Sequence, residues 1–159
     1  MTIDPRELDT ASLAFFAGDA ANRLLLARIR AAGHPQVRIA HGYLIQHLVE
    51  RSPTVGELAA ALGVTQQAAS KSTRELEDLG YLVRRPDLDD GRVTRLELSP
   101  RGRDVVATAR RIRREFEDEL RGAVDGAALV TAREVLASLL DITGGARPVR
   151  ERAVPAPEQ

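Results

Sequence analysis

The sequence contains no cysteine. That excludes disulfides, thiolate metal sites, cysteine nucleophiles and thiol redox sensing. Lysine is nearly missing too, since Lys71 is the only one among 23 Lys and Arg residues. Neither sign of charge is in excess, because 23 Asp and Glu bring the net charge to +0. A polycation that coats nucleic acid by bulk attraction is therefore disfavoured, whereas a localised nucleic-acid site is not. No apolar run approaches the roughly 20 residues that a membrane-spanning helix needs. The start, Met1-Thr2-Ile3-Asp4-Pro5-Arg6-Glu7, lacks a basic segment followed by an apolar one, so no signal peptide is expected. The expectation is a cytoplasmic protein with no membrane partner.

Motifs of catalysis are also missing. There is no nucleophile elbow, no glycine-rich phosphate loop and no histidine-carboxylate metal set, and Lys71-Ser72 follows no such loop. No catalytic residue, cofactor or metal is expected. His34, His41 and His47 fall in one short stretch, but a metal normally needs three or four convergent ligands. The offset between His41 and His47 turns them away from each other on a helix. They are read as polar or capping residues.

What is present is 43% hydrophobic residues over 159 positions, enough for one packed domain. A first helix is predicted over residues 10–32, with Leu13, Phe16, Ala20 and Leu24 at three- and four-residue spacing. At about 1.5 Å per residue it is too long, and its apolar stripe too broad, for a small domain to cover alone. A second chain is the simplest cover. A second helix is predicted from Pro35 to about Glu50, with Ile39, Tyr43, Leu44 and Leu48 on its apolar side. Thr54-Val55-Gly56-Glu57 reads as a capping box opening a short helix that closes at Gly63. Thr65 then caps a helix that runs to Leu79, with Gly80 just past its end.

The period next changes to two. Residues 81–85 and 93–98 read as strands joined by the Asp- and Gly-rich turn of residues 86–91. Ser99-Pro100 places an N-cap before a Pro-initiated helix carrying Val105, Ala109, Ile112, Phe116 and Leu120. A last helix is predicted from about Asp125 to Thr143. Beyond it, residues 144–159 hold Gly144-Gly145, Pro148, Pro155 and Pro157, and read as a flexible tail. Within the basic run Arg110, Arg111, Arg113 and Arg114, the following acids predict the pairs Arg111 with Glu115 and Arg113 with Glu117.

Two helices joined by Gly63-Val64-Thr65 make a helix-turn-helix, and the hairpin makes it winged. In such units the second helix enters the major groove with its N-terminal residues at base edges. Here those are Thr65, Gln66, Gln67, Ser70 and Lys71, with Arg74 one turn on. Glutamine can pair bidentately with adenine, lysine can reach guanine or phosphate, and serine either. A solvated polar face on an ordinary helix would look the same. The hairpin tip would project Arg92 towards a minor groove, where negative potential attracts it. Asp90 beside it would orient that side chain. Arg84, Arg85 and Arg95 are weaker candidates for phosphate contacts.

The run Asp90-x-Arg92-x-x-x-Leu96-x-Leu98-Ser99-x-x-Gly102 resembles the wing signature of MarR-type (multiple antibiotic resistance regulator) transcription factors. The strings Leu58-Ala59-x-x-Leu62-Gly63-Val64-Thr65 and Leu76-x-x-x-Gly80-Tyr81-Leu82-Val83-Arg84 are similar to the same family. The resemblance covers residues 10–143. It implies a mainly α fold with a small β-hairpin wing, the winged helix-turn-helix lying between N- and C-terminal dimerisation helices. The implied division is residues 1–34 and 100–143 for dimerisation, 35–99 for DNA binding, and 144–159 as tail. It also implies a homodimeric repressor on a pseudo-palindromic operator in double-stranded DNA. A small, often aromatic or phenolic, effector would release it, and Phe16, His41 and Tyr43 are candidates to line the effector site. Phe16 and Tyr43 could equally be core residues. Family members that sense oxidants use cysteine, and this chain has none. The alternative reading is a winged-helix protein-interaction module without specific DNA binding.

Overall fold

The computed structural model describes residues 3–150, and its architecture is helical with a two-stranded hairpin. The first long helix, α1 (Thr10–Ala31), starts where Asp9 accepts the Ser12 backbone N–H at 2.9 Å. Only Leu25 on it is buried, whereas Leu13, Phe15, Phe16 and Leu24 face outward.

The second helix is shorter than the sequence predicts. Pro35 does not start it; α2 spans Ile39–Ile45, followed by a 3-10 turn over Gln46–Leu48. The reason is tertiary. The Val37 N–H donates to the His34 carbonyl at 3.1 Å and the Arg30 guanidinium to the Val37 carbonyl at 2.9 Å, so this stretch is pinned as a turn.

The next elements follow local signals closely. In α3 (Val55–Leu62) the capping box is reciprocal, the Glu57 N–H donating to Thr54 Oγ1 and the Thr54 N–H to Glu57. Gly63 ends the helix at φ 66, a left-handed conformation that glycine adopts without a Cβ penalty. Thr65 then accepts the Ala68 N–H at 3.2 Å to open α4 (Gln66–Asp78). Ala69, Thr73 and Leu76 form its buried stripe, and Ala68 is exposed.

The strands β1 (Leu82–Pro86) and β2 (Thr94–Leu98) pair antiparallel, with Arg84 opposite Leu96 and Leu82 opposite Leu98. Leu96 and Leu98 turn inward while Arg95 and Glu97 stand at the surface edge, as period-two alternation requires. The core joins Leu44, Leu58, Leu76, Tyr81, Leu82 and Leu96 beneath this hairpin. Burying a leucine of this kind is worth about 1.5–3 kcal/mol.

Ser99 caps α5 (Pro100–Ala123), accepting the Gly102 N–H at 3.0 Å and donating to the Gly80 carbonyl. This helix returns along α1, where Arg28 forms a bidentate pair with Glu119 at 2.7 and 2.8 Å. In α6 (Gly126–Ile142) only Leu129 is buried, and Val130, Val135, Leu136, Leu140 and Ile142 are exposed. Among the described residues no helix is long and apolar enough to cross a membrane. The tail departs from expectation: after Gly144 at φ 74, Ala146–Arg150 form one short helix, α7. Pro148 is tolerated there because a first-turn N–H has no intrahelical acceptor to lose. The remainder of the predicted flexible tail, residues 151–159, lies outside the described residues.

Candidate nucleic-acid interface

The exposed side of α4 is chemically distinct from its buried one. Thr65, Gln67, Ser70, Lys71 and Arg74 line one open hollow, which also takes in Arg38, Glu75 and Asp78. Gln66 is exposed beside it, near the cap of α3. The sequence-predicted reading residues thus lie together on one face. Lys71 and Arg74 have no ion-pair partner among the described residues. The Thr65 hydroxyl is already used as the helix cap.

The wing is built around Asp87. One of its carboxylate oxygens accepts the Asp89 and Asp90 N–H groups at 2.9 and 3.2 Å, and the other accepts Arg95 Nε at 2.6 Å. These donors hold the Asp87 carboxyl below its ordinary range, the Arg95 hydrogen bond contributing most. Arg95 also reaches Glu57 at 2.9 Å, so the capping box of α3 doubles as the seat of the wing. Arg92 and Arg85 remain exposed without an ion-pair partner among the described residues.

Three sequence expectations need correction here. Arg95 is an internal strut between Asp87 and Glu57, not a free phosphate ligand. Arg84 is committed as well, donating to Glu77 at 2.9 Å and to Thr73 Oγ1 at 3.2 Å, which ties β1 to α4. Asp90 does not hold the Arg92 guanidinium; its carboxylate accepts the Arg92 backbone N–H at 3.0 Å and so fixes the turn. Asp87 was overlooked by sequence reasoning, although an Asp opening an Asp/Gly-rich turn is the residue type whose side chain caps its own backbone.

A separate cavity of about 510 Å³ lies between α1, α2 and α5. Tyr43 lines it. Phe16 does not, because the cavity meets α1 only from Asn22 onward; Phe16 instead packs edge-on to Phe15 at 5.4 Å. His41 does not line it either. Its ring turns to the other side of α2, where Nδ1 accepts the Arg38 backbone N–H at 3.3 Å and Nε2 faces Glu75 at 3.5 Å. Arg38, Arg110 and Arg113 also line the cavity, and among the described residues no carboxylate does. The predicted Arg113–Glu117 pair is not formed, since Glu117 is engaged by Arg121 and Arg133; Arg111–Glu115 forms at 2.8 Å.

The three histidines occupy separate environments. His34 lies 3.2 Å from the Tyr81 hydroxyl through Nδ1 and 3.3 Å from Asp104 through Nε2, the latter without hydrogen-bond alignment. Burial holds His34, His41 and His47 below the ordinary imidazole value of 6.5, with Asp104 and Glu75 opposing it at the first two.

These elements define a winged helix-turn-helix protein, with an exposed polar recognition helix and an arginine-tipped hairpin. Residues 38–93 match the family model described as MarR family. No curated protein sequence matches the chain. Solved structures do. A mutant of MepR from S. aureus is 17% identical, with TM-score 0.70 over 86% of this chain and 99% of its own. FabT from Streptococcus pneumoniae, solved in complex with DNA, is 18% identical at TM-score 0.67, covering 86% and 98%. RV1404 from Mycobacterium tuberculosis is 22% identical at TM-score 0.64, covering 86% and 96%. The central segment is thus similar to the MarR family, and the fold is that of the winged-helix structures it matches.

Proposed function

We propose that the chain is a cytoplasmic, homodimeric, sequence-specific repressor. It binds an inverted-repeat operator and is released by a small, apolar-bodied ligand. The observation that carries this reading is the placement of exposed Gln66, Gln67 and Lys71 and half-buried Ser70 on α4 with, on the projecting wing, an exposed Arg92 whose side chain has no partner among the described residues. The helix face suits base edges in a major groove, and the wing arginine suits the adjoining minor groove. Arg74 and Arg85 are left for phosphates. In this reading residues 35–99 bind DNA, while residues 1–34 and 100–143 dimerise.

Dimerisation is supported by apolar surface at both ends of the fold. Phe16 is 55% exposed on α1, and α6 leaves Val130, Leu136 and Ile142 outward. Such a surface on a soluble chain calls for a cover. Two-fold symmetry then places the half-sites about 34 Å apart, one helical turn. The cavity between α1, α2 and α5 is the proposed effector site, with Tyr43 as its aromatic wall. Selection from a random DNA pool tests the reading. Enrichment of one inverted repeat supports it; an unenriched pool overturns it in favour of a protein-interaction module.

A further inference from the structure

Arg38 is the one residue common to the linings of the effector cavity and the recognition-helix hollow. It stands at the N-cap of α2, and its guanidinium is ion-paired with Glu75 on α4. His41, one turn into α2, faces the same carboxylate oxygen. Nδ1 of His41 accepts the Arg38 backbone N–H at 3.3 Å and Nε2 lies 3.4 Å from Arg38 Nε, so Arg38, His41 and Glu75 form one cluster. Glu75 therefore has two partners on α2, one fixed and buried, the other on a long side chain that is half exposed.

The cavity has the opposite electrostatic need. Among the described residues three arginines and no carboxylate line it, and Arg110 and Arg113 have no ion-pair partner. Leu25, Ile29, Val37, Ile45 and Val105 supply apolar walls. The chemistry that fits is an organic anion: an apolar body with a carboxylate or similar head that a guanidinium fork can hold bidentately.

From this we infer that Arg38 is the coupling residue between the two hollows: an organic anion in the cavity takes the Arg38 guanidinium from Glu75 and so loosens the tether that holds the recognition helix against α2. The inference rests on the effector reading above. Three features favour it. The Arg38–Glu75 pair is solvent-exposed, and such pairs are weak enough to be exchanged. Glu75 is itself part exposed, so loss of Arg38 strands no buried carboxylate. Glu75 sits one helical turn from Lys71, so a change in its tether acts next to the residues proposed to read bases. By reciprocity, whatever weakens DNA binding through the anion must weaken anion binding through DNA.

The test uses the full-length chain, its selected operator and 2-naphthoate as the anionic probe, with 2-naphthamide as its neutral counterpart. 2-Naphthoate is expected to bind and to lower operator affinity, while the amide does neither. Glu75→Gln removes the competitor for Arg38, so 2-naphthoate should bind about fivefold tighter, the equilibrium equivalent of an exposed ion pair. Arg38→Met keeps the apolar wall and should abolish both the preference for the acid and its effect on DNA. Burial is the main cause that holds the His41 imidazole low, but the Arg38 guanidinium adds to it, so the ring should titrate at higher pH in the 2-naphthoate complex, where that guanidinium has moved away. That readout would stay put if Arg38 were merely structural. Equal 2-naphthoate affinity in wild type and Glu75→Gln, an undiminished response in Arg38→Met, or no binding by wild type overturns the inference. Absence of any selected operator overturns the regulator reading instead.

Discussion

A Cβ at Gly102 would stand 2.0 Å from the Tyr81 carbonyl oxygen, so α5 packs onto the start of the hairpin only because residue 102 has no side chain. The same carbonyl accepts the Ser99 N–H at 3.1 Å, which leaves the Tyr81 backbone little freedom to retreat. Gly102→Ala must therefore displace backbone. A loss of about 1–3 kcal/mol is expected, the scale of overpacking in a tight core. Urea denaturation of wild type and variant measures it.

Arg92→Ala should weaken operator binding about tenfold without moving the melting temperature, because Arg92 is exposed and makes only a backbone contact to Asp90. Fluorescence anisotropy at fixed salt, beside a thermal melt, separates the two effects.

Lys71→Ala should reduce the dependence of binding on salt. If the ammonium neutralises one phosphate, the slope of log affinity against log salt falls by about 1. An unchanged slope with lost affinity would assign Lys71 to a base edge.

Asp87→Ala removes the acceptor that gathers Asp89, Asp90 and Arg95. The wing should loosen while the core stays intact. Faster amide exchange over residues 88–93, several-fold weaker operator binding and an almost unaltered melt are the expected signature. Faster exchange also in α4 would mean that the wing seat supports more than the wing.

Acid should destabilise the fold in a window set by its histidines. His34, His41 and His47 are held below 6.5 in the folded chain by burial, so the unfolded chain binds more protons as pH falls through that value. Their contribution is complete above 6.5 and is lost as pH falls towards the folded values. Asp9, Glu57, Asp87 and Glu119, lowered from 3.8 or 4.5, act only at more acid pH. Melting temperature against pH should fall below about 6.5, and the fall should be shallower in His47→Gln.

Legibility in the sequence followed the range of the forces involved. Thr54 with Glu57, Gly63, Thr65 and Ser99-Pro100 act within a turn of themselves, and the elements they bound formed where the sequence places them. The start of α2 was not legible, because Arg30 and His34, outside the predicted helix, hold Val37 in a turn. The fates of Arg84 and Arg95 were hidden for the same reason. Seen from sequence they are hairpin cations like Arg85 and Arg92, and only the fold brings Glu77 and Glu57 to them. Arg38 escaped notice as a lone cation inside the predicted second helix. Its position between two hollows is a property of the packing of α1, α2, α4 and α5 together. Gly102 was legible as part of a family signature before its physical reason was visible.

The central claim is that two recognition helices, related by two-fold symmetry, read one face of an operator. It is tested most directly by comparing affinity for the selected operator with affinity for the same sequence carrying about five extra base pairs at its centre, half a helical turn. The account predicts that the insertion reduces binding to that of a single half-site, because the second helix then meets the wrong side of the duplex. Equal affinity for both duplexes would contradict it.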